Sequence, residues 1–170
     1  CIRVADCVPI LLASDDGRWV AAVHSGWRST VANVAGNTIG RLKEHFDARV
    51  DQAVAAIGPC ISAEHFEVGD EVADAFEQAG LSEHITRAGS TATGTSQLTS
   101  TGSNKPHADL RGAVRQQLID AGVPADRIDT TDACTYCDAE DFFSHRRDVT
   151  HQGQADTGRM AALIGLPARL

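Results

Sequence analysis

The sequence predicts an α+β fold with a mixed β-sheet, on three observations. Two apolar runs follow each other with only a turn between them, which asks for a hairpin. Other apolar runs are separated by stretches of helical periodicity, which asks for crossover connections, so a regular parallel ladder is excluded. A hydrophobic content of 42% over 170 residues is enough for one core.

Residues 7–13 and 19–23 read as short buried strands broken by the turn Ser14-Asp15-Asp16-Gly17. Residues 29–46 place Val31, Val34, Ala35, Leu42 and Phe46 at helical spacing, with Ser29 or Thr30 as N-cap. A buried strand over 53–57 ends at Gly58-Pro59, and Cys60 follows in a loop. Residues 69–79 form a short helix with Val72, Ala73 and Phe76 on one face. Over 88–106, twelve of nineteen residues are Gly, Ser or Thr, which reads as a flexible loop or lid. A helix over 109–121 carries Leu110, Val114 and Leu118 and stops at Gly122 and Pro124. Residues 127–133 are strand-like, 134–158 are polar and loop-rich, and 160–164 form a last apolar strand. No repeat divides the chain, so 1–170 reads as one domain. Its start at Cys1, without methionine or lead-in before the first strand, suggests that an upstream part is missing.

The formal net charge of −8 argues against a general nucleic-acid surface and leaves room for a small anion at a local basic spot. No apolar run is long enough to cross a bilayer, and the N-terminus lacks a signal-peptide layout, so the expectation is a cytoplasmic protein. Five cysteines without an export signal read as reduced thiols.

Cys7 heads the first apolar run and His24 ends the second, so a hairpin brings a thiol and an imidazole together. Such a pair is either two soft ligands for zinc or copper, with a third needed from elsewhere, or an activated nucleophile with its base. The plain alternative is a small buried hydrophobe beside a hydrogen-bonded core histidine. Asp6 is placed to act as an acceptor behind the thiol. After His24 come Ser25-Gly26-Trp27-Arg28 and a helix start, an arrangement suited to phosphate. Phe142-Phe143-Ser144-His145-Arg146-Arg147-Asp148 offers aromatics for a base and guanidiniums for phosphate or sugar hydroxyls, against a solvated loop with an arginine paired to Asp148. Cys134-Thr135-Tyr136-Cys137 is a lone C-x-x-C. A redox motif should open a helix, whereas Asp138-Ala139-Glu140-Asp141 leads into an irregular stretch, so packing is the preferred reading. His45, His65, His84, His107 and His151 lie in polar surroundings and read as surface residues.

Together, Ala5-Asp6-Cys7-Val8-Pro9, Ala21-Ala22-Val23-His24-Ser25-Gly26-Trp27-Arg28, Ile57-Gly58-Pro59-Cys60-Ile61, Phe66-Glu67-Val68-Gly69, Cys134-Thr135, the Phe142 to Asp148 run and Thr157-Gly158-Arg159-Met160 resemble the polyphenol oxidase (laccase) domain family, also described as a purine nucleoside phosphorylase and adenosine deaminase family. The resemblance runs in order from Cys1 to Ile164. It implies a four-layer α/β/β/α fold and a cleft in which one cysteine and two histidines hold zinc, or in some accounts copper. Cys7 matches the family cysteine and His24 the second histidine. The first histidine belongs to a Gln-Val-His-Gly motif with no counterpart here.

The resemblance further implies phosphorolysis of adenosine, inosine, guanosine and methylthioadenosine, deamination of adenosine, and a minor phenol oxidation. The leading expectation is therefore a metal-dependent purine nucleoside enzyme. Cys7 and His24 are its ligands, Arg28 its phosphate contact, and Phe142, Ser144, His145 and Arg146 its base and ribose contacts. The alternatives are a metal-free hydrolase of amide bonds in cell-wall precursors, with Cys7 as nucleophile and His24 as base, and a non-enzymatic metal-binding module.

Overall fold

A hairpin over residues 8–25 forms half of the main sheet. In the computed structural model, which describes residues 1–87 and 105–166, the elements run β1 (Ile2–Val4), β2 (Val8–Ser14), β3 (Val20–Ser25), α1 (Trp27–Val31), α2 (Val34–Phe46), β4 (Ala53–Ile57), α3 (Asp70–Gln78), β5 (Ile85–Thr86), β6 (His107–Ala108), α4 (Leu110–Asp120), β7 (Ile128–Thr130) and β8 (Met160–Ala162). The Gly/Ser/Thr-rich stretch expected as a lid falls, over 88–104, outside the described residues.

Four strands form one mixed sheet in the order β3-β2-β4-β7. β2 pairs antiparallel with both β3 and β4, and β4 pairs parallel with β7. The turn between β2 and β3 is closed by Gly17 N–H to Ser14 O at 3.0 Å, with Gly17 at φ 65°, while the Ser14 hydroxyl accepts the N–H groups of Arg18 and Trp19. Alternation places Val8, Ile10 and Leu12 of β2 with Ala53, Ala55 and Ile57 of β4 in the core. Phe76, Ile39, Leu110, Val114 and Leu118 from the helices join the same buried cluster. Each large side chain buried in this way stabilises the fold by roughly 2 kcal/mol. The opposite face of the sheet, at Pro9, Leu11 and Ala56, meets a two-stranded ribbon of β1 and β8 across a cavity of about 410 Å³. The α+β class with mixed sheets is thus what the chain adopts.

Three expectations change. The helix expected over 29–46 is two helices, because Asn33 turns left-handed at φ 54° and its side chain accepts the Gly36 N–H, capping α2. Gly26, rather than Ser29 or Thr30, precedes α1. Thr30 is instead fully buried, its hydroxyl bonded to Ser25 and to the Gly26 carbonyl. Phe46 ends α2 at 58% exposure, because the chain turns left-handed again at Asp47. Second, residues before Cys7 form a strand: β1 pairs in register with β8, Ile2 to Ala162 through Val4 to Met160, and this ribbon is only half-buried. Third, the loop expected over 134–158 contains a π-helical segment, Arg146–His151. Among the described residues no helix is long and apolar enough to cross a membrane.

Candidate functional site

The hairpin register decides where Cys7 and His24 point. Val8 lies opposite Ser25 and Pro9 opposite His24. Val8 and Ser25 face the buried helical side, so Cys7 and His24 share the other face, one step apart on the diagonal. Both line one cleft of about 390 Å³ together with Arg3, Asp6, Gly26, Trp27, Arg28, Phe66, His145, Arg146 and Arg159. His24, Arg28 and His145 are exposed, whereas Cys7 is half-buried.

Cys7 is held from behind. Asp6 is buried at the left-handed φ of 81°, and its carboxylate accepts the Thr135 hydroxyl and the Arg146 N–H, each at 2.7 Å. Its carbonyl accepts the Ile61 N–H at 3.0 Å. In front, Gly26 leaves the room that the thiol fills: a Cβ there would lie 3.0 Å from Cys7 Sγ. Burial, then the Asp6 charge, push the Cys7 thiol above its ordinary value, with Arg159 pulling the other way.

The cleft is rich in guanidiniums although the chain is acidic. Arg28 lies over the Trp27 ring at 4.2 Å, and Arg146 lies 5.2 Å over the Phe66 ring while donating to the Glu67 carbonyl at 2.7 Å. Arg159 donates to the carbonyls of Thr157 and Gly158 at 2.6 and 2.9 Å. The helix expected to point its dipole at an anion here is α1, only five residues long, so its macrodipole is small and the positive character comes from side chains.

The Phe142 to Asp148 run divides. His145 and Arg146 enter the cleft, but Phe142 lines the cavity between sheet and ribbon instead. Ser144 is fully buried, its hydroxyl accepting the Arg147 N–H at 3.1 Å. Arg147 donates to the carbonyls of Thr135, Tyr136 and Phe142 and to Asp148, so the second arginine of the pair holds the backbone together. Two cleft residues, Arg3 and Arg159, carried no role in the sequence reading. Their signal was the Thr157-Gly158-Arg159-Met160 motif and the closeness of Arg3 to Cys7. Of the histidines read as surface residues, His65, His84 and His107 are half-buried; His65 stacks on Tyr136 at 4.5 Å, and the Tyr136 hydroxyl bonds His151 at 2.9 Å.

A thiol and an imidazole form a suitable donor pair for zinc or copper. Among the described residues no group of three His, Cys, Asp or Glu side chains is close enough to hold an ion, so these residues supply two donors. The family model described as multi-copper polyphenol oxidoreductase laccase matches residues 1–167. The chain belongs to this family. It is 37% identical over 160 residues to a purine nucleoside phosphorylase of Bacteroides thetaiotaomicron, covering 94% of this chain and 56% of that protein. It is 40% identical over 159 residues to adenosine deaminase RL5 of an unknown prokaryotic organism, covering 92% and 56%. The crystal structure of YlmD from Geobacillus stearothermophilus matches with a TM-score of 0.72 at 32% identity, over 92% of this chain and 53% of that one. The chain therefore spans a little over half the length of these family members.

Proposed function

We propose that this cleft serves a metal-dependent purine nucleoside phosphorylase that takes adenosine, inosine, guanosine or methylthioadenosine together with phosphate. The observation that carries the reading is the convergence of Arg3, Arg28, Arg146 and Arg159 on the cleft of Cys7, His24 and His145, in a chain of net charge −8. Four guanidiniums kept together in an acidic protein suit an anionic substrate.

In this reading Arg28, exposed and stacked on Trp27, takes the phosphate oxygens, with Arg3 and Arg159 beside it. Arg146 keeps one nitrogen on the Glu67 carbonyl and turns the remaining fork to ribose hydroxyls. Phe66 and Trp27 offer ring faces to the purine, the part first assigned to Phe142. Phosphate oxygen would attack the anomeric carbon as the bond to the purine nitrogen breaks, and His145, which also lines the cleft, would hand a proton to the departing base. Cys7 and His24 would hold zinc or copper with a third donor from outside the described residues, and the ion would supply Lewis acidity toward an oxygen of substrate or water.

One feature counts against the metal-free nucleophile. Among the described residues no hydrogen bond joins Cys7 to His24. Phenol oxidation by several coppers uses many histidines, and among the described residues the cleft of Cys7 offers two, His24 and His145. Adenosine deamination is the second reading, favoured by the likeness to the RL5 protein.

The test is a panel of adenosine, inosine and methylthioadenosine with and without phosphate, alongside elemental analysis. Free purine should appear only with phosphate, and Cys7→Ala should lose both metal and turnover. A Cys7→Ala protein that keeps both would end the proposal. Conversion of adenosine to inosine without phosphate would select the second reading.

A further inference from the structure

A second pair of thiols lies outside the cleft and takes no part in the chemistry above. Cys134 and Cys137 bracket a turn closed by Asp138 N–H to Cys134 O at 3.0 Å, the bond of a single helical turn. The irregular stretch that spoke against a redox motif in the sequence therefore begins only after this turn, in which residues three apart are neighbours. Cys134 Sγ accepts a hydrogen bond from the Ser62 N–H at 3.3 Å.

The turn is pinned along its length. Thr135 N–H donates to the Cys60 carbonyl at 3.1 Å, the Thr135 hydroxyl to Asp6, and Arg147 to the carbonyls of Thr135 and Tyr136. With the backbone of the turn already fixed, joining its two ends costs little chain entropy. The two thiols differ in access: Cys134 is buried and Cys137 exposed. They also differ in acidity. Burial alone would raise the Cys134 thiol, but the hydrogen bonds from Ser62 and Cys137 outweigh it and bring it below its ordinary value. The Cys137 thiol is raised by burial, by its hydrogen bond to Cys134 and by the charge of Cys134. Cys60, fully buried and pushed up to about 11 by burial, is a bystander.

We propose that Cys134 and Cys137 form a reversible redox pair that exchanges with the disulfides of small thiols. Cys137, the sulfur that solvent reaches, passes its proton to Cys134 and attacks one sulfur of the small disulfide. A mixed disulfide forms, and the first small thiolate leaves and takes the proton from Cys134. The Cys134 thiolate, stabilised where it sits, then attacks the Cys137 sulfur and expels the second small thiolate, which is protonated from solvent. Two protein thiols are oxidised to one disulfide, and one small disulfide is reduced to two thiols.

The pair is testable without any nucleoside assay. The folded protein is incubated with glutathione disulfide, alkylated with iodoacetamide and cut with trypsin, which releases residues 128–146 between Arg127 and Arg146 as one peptide holding both cysteines. That peptide should lack two hydrogens and resist alkylation until dithiothreitol is added, while Cys60 stays unmodified. In Cys134→Ser the reaction should stop with glutathione on Cys137. Alkylation of both cysteines, or a separate glutathione on each, in the native-sequence protein would overturn the proposal.

Discussion

Asp6 and Arg146 stand 140 positions apart in sequence, and the carboxylate of the first accepts the backbone N–H of the second at 2.7 Å. The other oxygen of Asp6 takes the Thr135 hydroxyl, so one buried carboxylate ties the residue before Cys7 to both the C-x-x-C turn and the start of the π-helical segment. Hydrogen bonds to a charged acceptor are worth about 1.5–3 kcal/mol each, and of the two donors left behind the Thr135 hydroxyl is buried. Asp6→Ala should therefore cost about 3 kcal/mol in urea unfolding. Asp6→Asn should cost less, because it keeps a carbonyl acceptor and tolerates the left-handed backbone. Equal losses for the two variants would show that the negative charge of Asp6, rather than an acceptor in that place, carries the contribution.

Adjacent arginines are expected to behave differently from their neighbours in the cleft. Arg147 is almost enclosed and serves three carbonyls and Asp148. A lysine cannot reproduce that fork, so Arg147→Lys should lose about 2 kcal/mol of stability. Arg28 is exposed, and Arg28→Ala should stay within about 0.5 kcal/mol of the parent. Its effect should fall on phosphate, raising the KM about tenfold, the worth of one charge-assisted hydrogen bond. A stability loss in Arg28→Ala as large as in Arg147→Lys would remove the distinction.

What the sequence disclosed follows the range of the forces involved. The hairpin, β4, α3 and α4 were legible because apolar periodicity directly reports which face is buried. The break at Asn33 was not, because the left-handed turn is set by its side chain reaching Gly36 while the apolar spacing runs on uninterrupted. The β1–β8 ribbon was legible only in part: 160–164 read as a last apolar strand, but β1 is three residues long and its partner lies at the opposite end of the chain, so the pairing left no local pattern. In the cleft, Cys7, His24, Arg28, His145 and Arg146 are brought together from separate motifs. Phe142 and Ser144, neighbours of His145 in sequence, point elsewhere, because a tightly turned backbone spreads adjacent side chains over different surfaces.

Gly26 tests the closeness of the cleft. Its φ of −88° suits any residue, so Gly26→Ala should fold normally. The added methyl would lie 3.0 Å from Cys7 Sγ, and the thiol must give way by a few tenths of an ångström. If Cys7 is a metal ligand, a displacement of that size should weaken zinc binding roughly tenfold in a chelator competition. Unchanged zinc affinity would place the metal away from Cys7.

The acid limb of stability should report Asp148. The Thr157 hydroxyl, and after it the Arg147 guanidinium, hold this buried carboxyl below the usual carboxylate range despite the opposing effect of burial. A carboxyl with a lower value folded than unfolded binds fewer protons in the native state, so stability rises with pH through the window between the two values. The contribution is complete above about pH 5 and is lost as pH falls through the folded value, below the unfolded value of about 3.9. Asp148→Asn should lower the thermal midpoint at neutral pH, and the gap to the parent should narrow as pH falls below the unfolded value, because the parent loses this contribution as its carboxyl takes up a proton. A gap that stays constant across that range would mean that the Thr157 and Arg147 contacts act through shape and neutral hydrogen bonding rather than through the charge on Asp148.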